Sequence, residues 1–436
     1  SETRSWNVVT YLYRDASDNM WVGTDGDGIK KYSPNKKVFN LYRSPFITHN
    51  MVRAVYKHDD GKLYVGLMHD GLDIYEKGGK WLERIPGDDG RNNIFPAKNL
   101  NAICREDFEH LWFHFSDMYI GLFNVHNHRF EDLTASVKAL GMPDQEDIYP
   151  FLFKRNTGEV YFNYGSYLLQ MMPVGRTYKA SIIHEFPDEI LTTYFEDFLG
   201  NKYVGTKVAV YVKKADSPSW EKINLPPGTI VKSINKNAHK QLLVATSKGL
   251  FVMDEKNQII QHYNSYTFPS LVNDYFYGVL LDDKDRIWVS HNKGLSQINQ
   301  VTDEITTYNY EDGLQSNEFN TGAFYKSTDG ELFFGGIRGV NGFYPKDFRN
   351  NPSKPKVVIM RMEVLDKPYE SDTALSLLRR IELPYNHNTI AIEFVPLEFT
   401  NPLKNKVQYK LDGADEDWVQ AGTFRMARYT NLRPGT

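Results

Sequence analysis

The sequence predicts an all-β fold, in which a β-propeller is followed by an immunoglobulin-like β-sandwich. One pattern recurs eight times along the chain. It consists of a turn, then a short strand centred on an apolar or aromatic residue, and then the start of a further strand, often at a glycine. The intervals between the eight centres run from 40 to 49 residues, which fits a four-stranded propeller blade. A change of periodicity near residue 357 predicts the sandwich. The eight centres are Trp21, Tyr64, Trp112, Tyr161, Tyr203, Leu243, Trp288 and Phe333.

Each repeat divides into four strands. The first is apolar or alternating, as in residues 51–56, and is expected to be innermost. A polar turn such as residues 59–62 leads into the second strand, whose ring packs between neighbouring blades. The third strand opens at the glycine, which we interpret as a requirement of the backbone. The fourth strand is the variable outer one, as in residues 38–42.

Eight repeats are one more than a seven-bladed ring holds. We therefore predict a leading blade at residues 1–42, the end of a preceding propeller, and a seven-bladed propeller at 43–349. A single eight-bladed ring is the alternative. A linker at 350–356 contains two prolines and two asparagines. The sandwich follows at 357–436 and is expected to be incomplete, with closing strands beyond Thr436.

Composition excludes several classes of function. The 436 residues carry a formal net charge of −4 without a basic stripe, so nucleic-acid binding is not expected. Cys104 is the only cysteine, which excludes an internal disulfide. A run of about 18 apolar residues is missing, so the sequence predicts no membrane span. We predict no metal site and no cofactor.

The candidate site lies in the loops. In a propeller, the loops between strands two and three and those between blades open on one face. Together they bring histidine, asparagine, lysine, arginine, aspartate and tyrosine around one axis, a mixture suited to a hydroxyl-rich or anionic ligand. The predicted ligand-binding residues are His69, Asp70, His114, Tyr149, Tyr164, Lys207, Lys248, Tyr275, His291, Asn292, Lys293 and Arg338.

Catalytic motifs find little support. His69 with Asp70, or His291, could form a base with an orienting partner, but a serine elbow, paired cysteines and metal-ligand spacing are missing. The turn at residues 17–21 resembles the aspartate boxes of sialidase-type propellers, which are structural turns. No catalytic residue is predicted.

The order of the motifs resembles one family. The repeats, with an ending from residues 333–336 to 343–345, look like the two-component-regulator propeller repeats of hybrid sensor proteins from Bacteroidetes. The tail is similar to the three-tyrosine domain that follows such propellers. It contains residues 409–413, Trp418 and residues 427–436, with Tyr409 and Tyr429 as two of the three tyrosines.

The resemblance implies a periplasmic sensor region of an inner-membrane protein. Its ligand would be an oligosaccharide released from a glycan, and its signal would pass to a cytoplasmic histidine kinase that this chain lacks. The region would be non-catalytic, would form a homodimer, and would be attached to the membrane only through a segment C-terminal to it. Two alternatives remain open: a propeller-fold polysaccharide lyase or glycosidase, and a protein-binding scaffold.

Overall fold

The computed structural model describes residues 8–34, 39–46, 50–88, 94–145, 149–348 and 355–435. Most of the predicted linker at 350–356 lies outside these ranges, as do residues 1–7 and 35–38 of the predicted leading blade. The chain divides into two compact units. One comprises Val38–Phe348, and the other comprises Ser1–Lys37 together with Arg349–Thr436.

The larger unit is a seven-bladed propeller. Each blade is an antiparallel sheet of four strands, and each innermost strand contacts the innermost strands of both neighbouring blades. From the inside outward, the strands are Val52–Lys57, Leu63–Leu67, Gly71–Tyr75 and Trp81–Ile85 in blade 1; Leu100–Arg105, His110–Phe115, Ile120–Asn124 and Phe130–Asp132 in blade 2; and Leu152–Lys154, Val160–Tyr164, Tyr167–Val174 and Thr177–Glu185 in blade 3. In the same order, they are Leu191–Glu196, Lys202–Thr206, Ala209–Lys213 and Glu221–Asn224 in blade 4, and Val231–Lys236, Leu242–Thr246, Gly249–Met253 and Ile259–Tyr263 in blade 5. They are Phe276–Leu281, Ile287–His291, Gly294–Asn299 and Glu304–Tyr308 in blade 6, and Phe319–Lys326, Leu332–Gly336, Gly339–Phe343 and Asn40–Tyr42 in blade 7. Short helices occupy Thr134–Lys138, Tyr310–Asp312 and Pro345–Asp347.

Blade 7 combines the two ends of the propeller. Its outer strand, Asn40–Tyr42, pairs antiparallel with Gly339–Phe343. The sequence placed residues 40–42 in the leading blade, whereas the structure assigns them to the last blade of the ring. The physical reason is Tyr42, whose buried ring lies 5.8 Å from that of Tyr75 and 5.9 Å from that of Phe333.

Aspartates organise the turns between the first and second strands. The carboxylate of Asp282 accepts hydrogen bonds from the backbone N–H groups of Lys284 and Arg286 and from Nε1 of Trp288. Asp15 does the same in the leading repeat, where it accepts from two backbone N–H groups and from a tryptophan. These turns therefore have a structural role, as in the aspartate boxes they resemble.

The glycine that opens the third strand is required by the backbone. Gly294 has φ of 127°, and a Cβ atom there would lie 2.0 Å from the carbonyl oxygen of Tyr308. Gly339 has φ of 116°, and a Cβ atom would lie 2.4 Å from the carbonyl oxygen of Tyr42. Positive φ and the close outer strand together explain the recurrence of glycine at this position.

The smaller unit contains a three-stranded sheet and the sandwich strands. The three-stranded sheet is formed by Val9–Arg14, Met20–Thr24 and Ile29–Tyr32. The sandwich strands form one sheet in the order Lys367–Pro368, Val357–Val364, Ile390–Pro396 and Met426–Tyr429, and a second sheet of Val407–Tyr409 and Val419–Gly422. Single helical turns lie at Leu375–Leu377 and Pro402–Lys404.

The two tyrosines expected from the resemblance lie close together. The ring of Tyr409 meets that of Tyr429 edge-on at 6.1 Å. The hydroxyl of Tyr429 donates a hydrogen bond of 2.5 Å to Asp415. Both tyrosines therefore help to hold the sandwich strands together. Within the described ranges, no helix is long and apolar enough to cross a membrane.

Candidate functional site

A cavity of about 440 Å³ lies among the innermost strands of the propeller. Blades 1, 2, 3, 4, 5 and 7 all contribute to its wall. Its volume falls within the range of roughly 300–1,000 Å³ that is usual for small-ligand sites. Around the ring axis, this is the place where side chains from different blades can meet one ligand.

A β-bulge recurs in the innermost strands. In blades 1, 2, 4, 5 and 6, the pairing with the second strand skips one residue close to the strand's start. A bulge leaves its extra residue unpaired and re-aims the side chain, and such bulges are frequent next to functional sites. The skipped residues are Arg53, Asn101, Thr192, Lys232 and Tyr277, and the first four of them line the cavity.

Lys232 is a buried cation without a counter-charge. Only 5% of the surface of Lys232 is exposed. Its ammonium group lies 5.1 Å from the ring centre of Tyr149 and 5.5 Å from that of Tyr275. Burial lowers the pKa of Lys232, and the positive charges of Lys207 and Arg53 lower this pKa further. Neither a hydrogen bond nor an ion pair joins its Nζ to any residue that the structure describes.

Arg53 is the second unpaired cation. Its Nη2 donates to the sulfur of Met68 at 3.3 Å, and its Nε has no hydrogen-bond partner in the part of the chain that the structure describes. Burial lowers the pKa of Arg53. The described lining of the cavity contains arginine and lysine but neither aspartate nor glutamate. One lining cation, Lys154, is neutralised by Glu106 at 2.8 Å, so the uncompensated charge belongs to Arg53 and Lys232.

Neutral polar groups complete the wall. Asn101 accepts a hydrogen bond of 2.9 Å from the hydroxyl of Ser116, and its amide group also carries N–H donors. The hydroxyl of Thr192 has no hydrogen-bond partner. Tyr277, the skipped residue of blade 6, lies outside the lining and donates to Asn292 at 2.9 Å. The cavity therefore offers donors, acceptors and flat rings together.

The polar side chain of Asn163 fixes the position of Tyr149. Asn163 is fully buried on the second strand of blade 3. Its Nδ2 donates to the carbonyl oxygen of Tyr149, and its Oδ1 accepts from the backbone N–H of Phe151, both at 3.1 Å. These two bonds hold the segment that enters blade 3, so the ring of Tyr149 faces Lys232 and also Lys207, whose Nζ lies 5.4 Å away.

The structure brings some of the predicted residues together and separates others. Tyr149, Lys207 and Tyr275 gather with Lys232, and Asn292 joins them through Tyr277. The predicted residues Tyr164, His114 and His291 are buried in strands, whereas exposed positions belong to His69, Lys248, Lys293 and Arg338.

The last predicted residue, Asp70, and the exposed Lys248 have structural partners. Asp70 forms an ion pair with Arg84, which also binds Asp73 at 2.7 Å. Lys248 donates to the carbonyl oxygen of Pro227 at 2.6 Å. Both side chains thus stabilise their own blades, and neither lines the cavity.

Sequence reasoning missed Arg53 and Lys232, the central cations. It expected the innermost strands to be scaffold and searched only the loops. A signal was present: an apolar residue, a polar or aromatic residue and a small residue recur where the five bulged strands begin, as in residues 52–54 and 231–233. This triplet marks the bulge, because the small third residue lets the strand pack against its neighbour.

The two buried histidines make stability depend on pH. Burial lowers the pKa of His114 and of His291 to about 4 from the ordinary 6.5. Below pH 6.5 these histidines bind protons in the unfolded chain, whereas in the folded chain they do so only near pH 4. The free energy of unfolding therefore falls as the pH drops from 6.5 to 4. Each histidine contributes up to about 3 kcal/mol to this loss. We expect that His114→Gln and His291→Gln flatten the dependence of the unfolding free energy on pH between 6.5 and 4.

Denaturant titrations at several pH values measure this slope. The exposed His239 provides the matched control, because His239→Gln should leave the slope unchanged. An unaltered slope in both buried-site variants would contradict the assignment.

As for metal ligands, the described part of the chain contains no group of three or more histidine, cysteine, aspartate or glutamate side chains able to hold an ion.

Comparisons with known proteins identify the two modules. Residues 3–26 match the family model described as two component regulator propeller, and residues 398–436 match that of the Y_Y_Y domain. A curated relative is Histidine kinase P4 of Formosa agariphila, which is 22% identical over 427 residues. The match covers 92% of this chain and 30% of that protein, so the chain spans about a third of its relative's length.

Solved structures show the fold. The virginiamycin B lyase of Staphylococcus aureus is 12% identical with a TM-score of 0.53, covering 70% of this chain and 98% of the lyase. The WD40 propeller domain of Doa1 is 12% identical with a TM-score of 0.51, covering 71% and 99%. At this identity, the likeness concerns the propeller and not its chemistry.

One further structure spans both units. It is the extracellular domain of a hybrid two component system from B. thetaiotaomicron, 18% identical with a TM-score of 0.40, and the match covers 98% of this chain and 69% of that one. The seven-bladed propeller, the regulator repeat and the terminal domain have now been found in one chain. Residues 3–26 are thus similar to a two component regulator propeller repeat and residues 398–436 to a Y_Y_Y domain, the two modules of the family that the sequence resembles.

Proposed function

We propose that this chain is the ligand-sensing region of a hybrid two-component sensor and binds a glycan-derived oligosaccharide in the periplasm. The bound state would then be passed to a cytoplasmic histidine kinase. The observation that carries the proposal is the cavity of the propeller, whose wall combines amide, hydroxyl and cationic groups with tyrosine rings. Sugars are bound by such a combination, because rings stack on their apolar faces and polar groups bond to their hydroxyls.

The module order supports the signalling part of the proposal. A regulator repeat and a Y_Y_Y domain occur in the chain, and a curated relative is named as a histidine kinase. Signalling requires two states that differ in their affinity for the ligand. We therefore propose a homodimeric, non-catalytic sensor, with the propeller as the binding module and residues 357–436 as the transmitting module.

The test is a thermal-shift screen of the full chain against a library of oligosaccharides from plant, algal and host glycans. Binding is expected to raise the midpoint of thermal unfolding with increasing ligand concentration. Chromatographic analysis of the same mixtures measures turnover, and none is expected. A library without any stabilising oligosaccharide would count against the sensor, and depolymerisation of a glycan would favour a lyase or glycosidase instead.

A further inference from the structure

We propose that the ligand is anionic, and that Lys232 and Arg53 bind its carboxylate or sulfate group in the cavity of the propeller. The inference rests on the proposed binding of an oligosaccharide and adds its chemical class. It starts from the two bulges of blades 1 and 5, which aim Arg53 and Lys232 into the same cavity.

The first argument is the unpaired charge. A buried ammonium or guanidinium group is unfavourable unless a counter-charge and hydrogen bonds compensate for the lost water. Lys154 satisfies that rule with Glu106, and Lys236 does so with Asp197, both at 2.8 Å. Lys232 is 5% exposed, lies beside two tyrosine rings and has no carboxylate partner among the residues that the structure describes. A neutral sugar could accept hydrogen bonds from Lys232, but only an anion also restores the charge balance.

The second argument is the donor geometry. Arg53 presents Nε without a partner, and its Nη2 contacts only a thioether. A guanidinium edge binds two oxygens of one carboxylate or sulfate at once, and an ammonium group adds up to three further donors. Tetrahedral and planar oxyanions share this requirement, so the site recognises their oxygens in either case.

The third argument is the ring of Tyr149, which organises the cations. Its face lies 5.1 Å from Nζ of Lys232 and 5.4 Å from Nζ of Lys207. The aromatic face attracts both ammonium groups and so offsets part of their mutual repulsion. The ring of Tyr149 therefore helps to hold the ammonium group of Lys232 inside the cavity. The two hydrogen bonds of Asn163 described above hold the backbone of the segment that carries this ring.

The experiment uses calorimetry with the full chain and matched pairs of ligands. Each uronate-containing oligosaccharide is paired with its carboxyl-reduced form, each sulfated one with its desulfated form, and inorganic sulfate is titrated against chloride at equal ionic strength. Acidic ligands are expected to bind at least tenfold more tightly than their neutral counterparts. Lys232→Met should weaken the acidic ligands about 10- to 100-fold and leave neutral ones within about twofold.

A second variant and a control variant test whether the loss of affinity is specific to the two buried cations. Arg53→Met should show the same selective loss, which keeps the test valid if one variant fails to fold. Lys256→Met removes an exposed lysine of blade 5 and should leave every affinity unchanged. If Lys232 were merely structural, its replacement would weaken acidic and neutral ligands alike and would overturn the proposal.

The remaining outcomes separate this inference from the proposed function. Equal affinity for neutral and acidic partners would overturn the anionic ligand while leaving oligosaccharide binding intact. Stabilisation by sulfate that disappears in Lys232→Met, without binding of any oligosaccharide, would support the anion site and count against the glycan. If neither sulfate nor any acidic ligand binds, the inference is wrong.

Discussion

Replacing Tyr42 by alanine is expected to destabilise the protein by about 3–5 kcal/mol, because it empties the site where blade 7 is closed. Tyr42 is 6% exposed and packs edge-on against Tyr75 of blade 1 while it covers Phe333 of blade 7. Its loss therefore weakens two blades together. Denaturant unfolding, followed by tyrosine and tryptophan fluorescence, measures the change.

The neighbouring residue provides the control for this prediction. Leu41 belongs to the same strand, Asn40–Tyr42, but is 44% exposed. Leu41→Ala keeps the backbone pairing with blade 7 and should cost less than about 1 kcal/mol. Equal effects of the two substitutions would show that Tyr42 does not close the ring.

Replacing Lys57 by methionine is expected to cost a similar amount, about 3–5 kcal/mol, by removing the cation that neutralises a buried carboxylate, Glu331, in a partly buried ion network between blades 1 and 7. Nζ of Lys57 lies 2.7 Å from both Asp329 and Glu331 and 3.2 Å from the hydroxyl of Tyr344. Glu331 is 3% exposed, so the variant leaves its carboxylate buried without a counter-charge. Thermal and denaturant unfolding of the full chain measure the loss.

Lys240 provides the matched control, since its ion pair with Glu255 is exposed on both sides at 3.8 Å. Lys240→Met should change the unfolding free energy by no more than about 1 kcal/mol. A loss in Lys57→Met no greater than that in the control would contradict the role of the network.

The ion network of Lys57 should also affect how the free energy of unfolding depends on pH in acid. Burial acts to raise the pKa of Asp329, but hydrogen bonds from Lys57, Ser327 and Tyr344 outweigh it and hold this pKa below the ordinary 3.8. Its stabilising contribution is therefore present above pH 3.8 and is lost as the pH falls through the folded-state value. Lys57→Met should reduce this loss, which acid titration of the two proteins can compare.

The repeats and the sandwich strands could be predicted from the sequence because their causes are local. A turn residue, a buried ring such as Trp288 and a positive-φ glycine such as Gly294 all lie within one repeat. Residues 40–42 could not be placed in the same way. Their pattern is that of an outer strand, but the sheet they join is determined by a pairing with residues 340–342, far along the chain.

The candidate site was harder to predict for a different physical reason. Loop position alone predicted His114 and His291 as ligand contacts, yet strand alternation turns both rings into the blades. Arg53 and Lys232 lie within strands, and regular alternation would have pointed them elsewhere. A single inserted residue, the bulge, reverses that direction, and its trace in the sequence is only the short triplet at the start of the strand.

The closing strand also has a consequence for how the chain folds. Blades 1 to 6 are each built from one contiguous stretch, so they can form from contacts between neighbours in the sequence. Blade 7 joins Tyr42 to Val340 across 298 residues, the difference between their positions. Contacts of such separation form slowly, because a long loop must be closed before they contribute. We therefore expect residues 40–42 to stay unpaired until residues 340–342 have joined blade 7, when almost the whole ring has formed. The pairing of these two strands is then the last step, which closes the propeller.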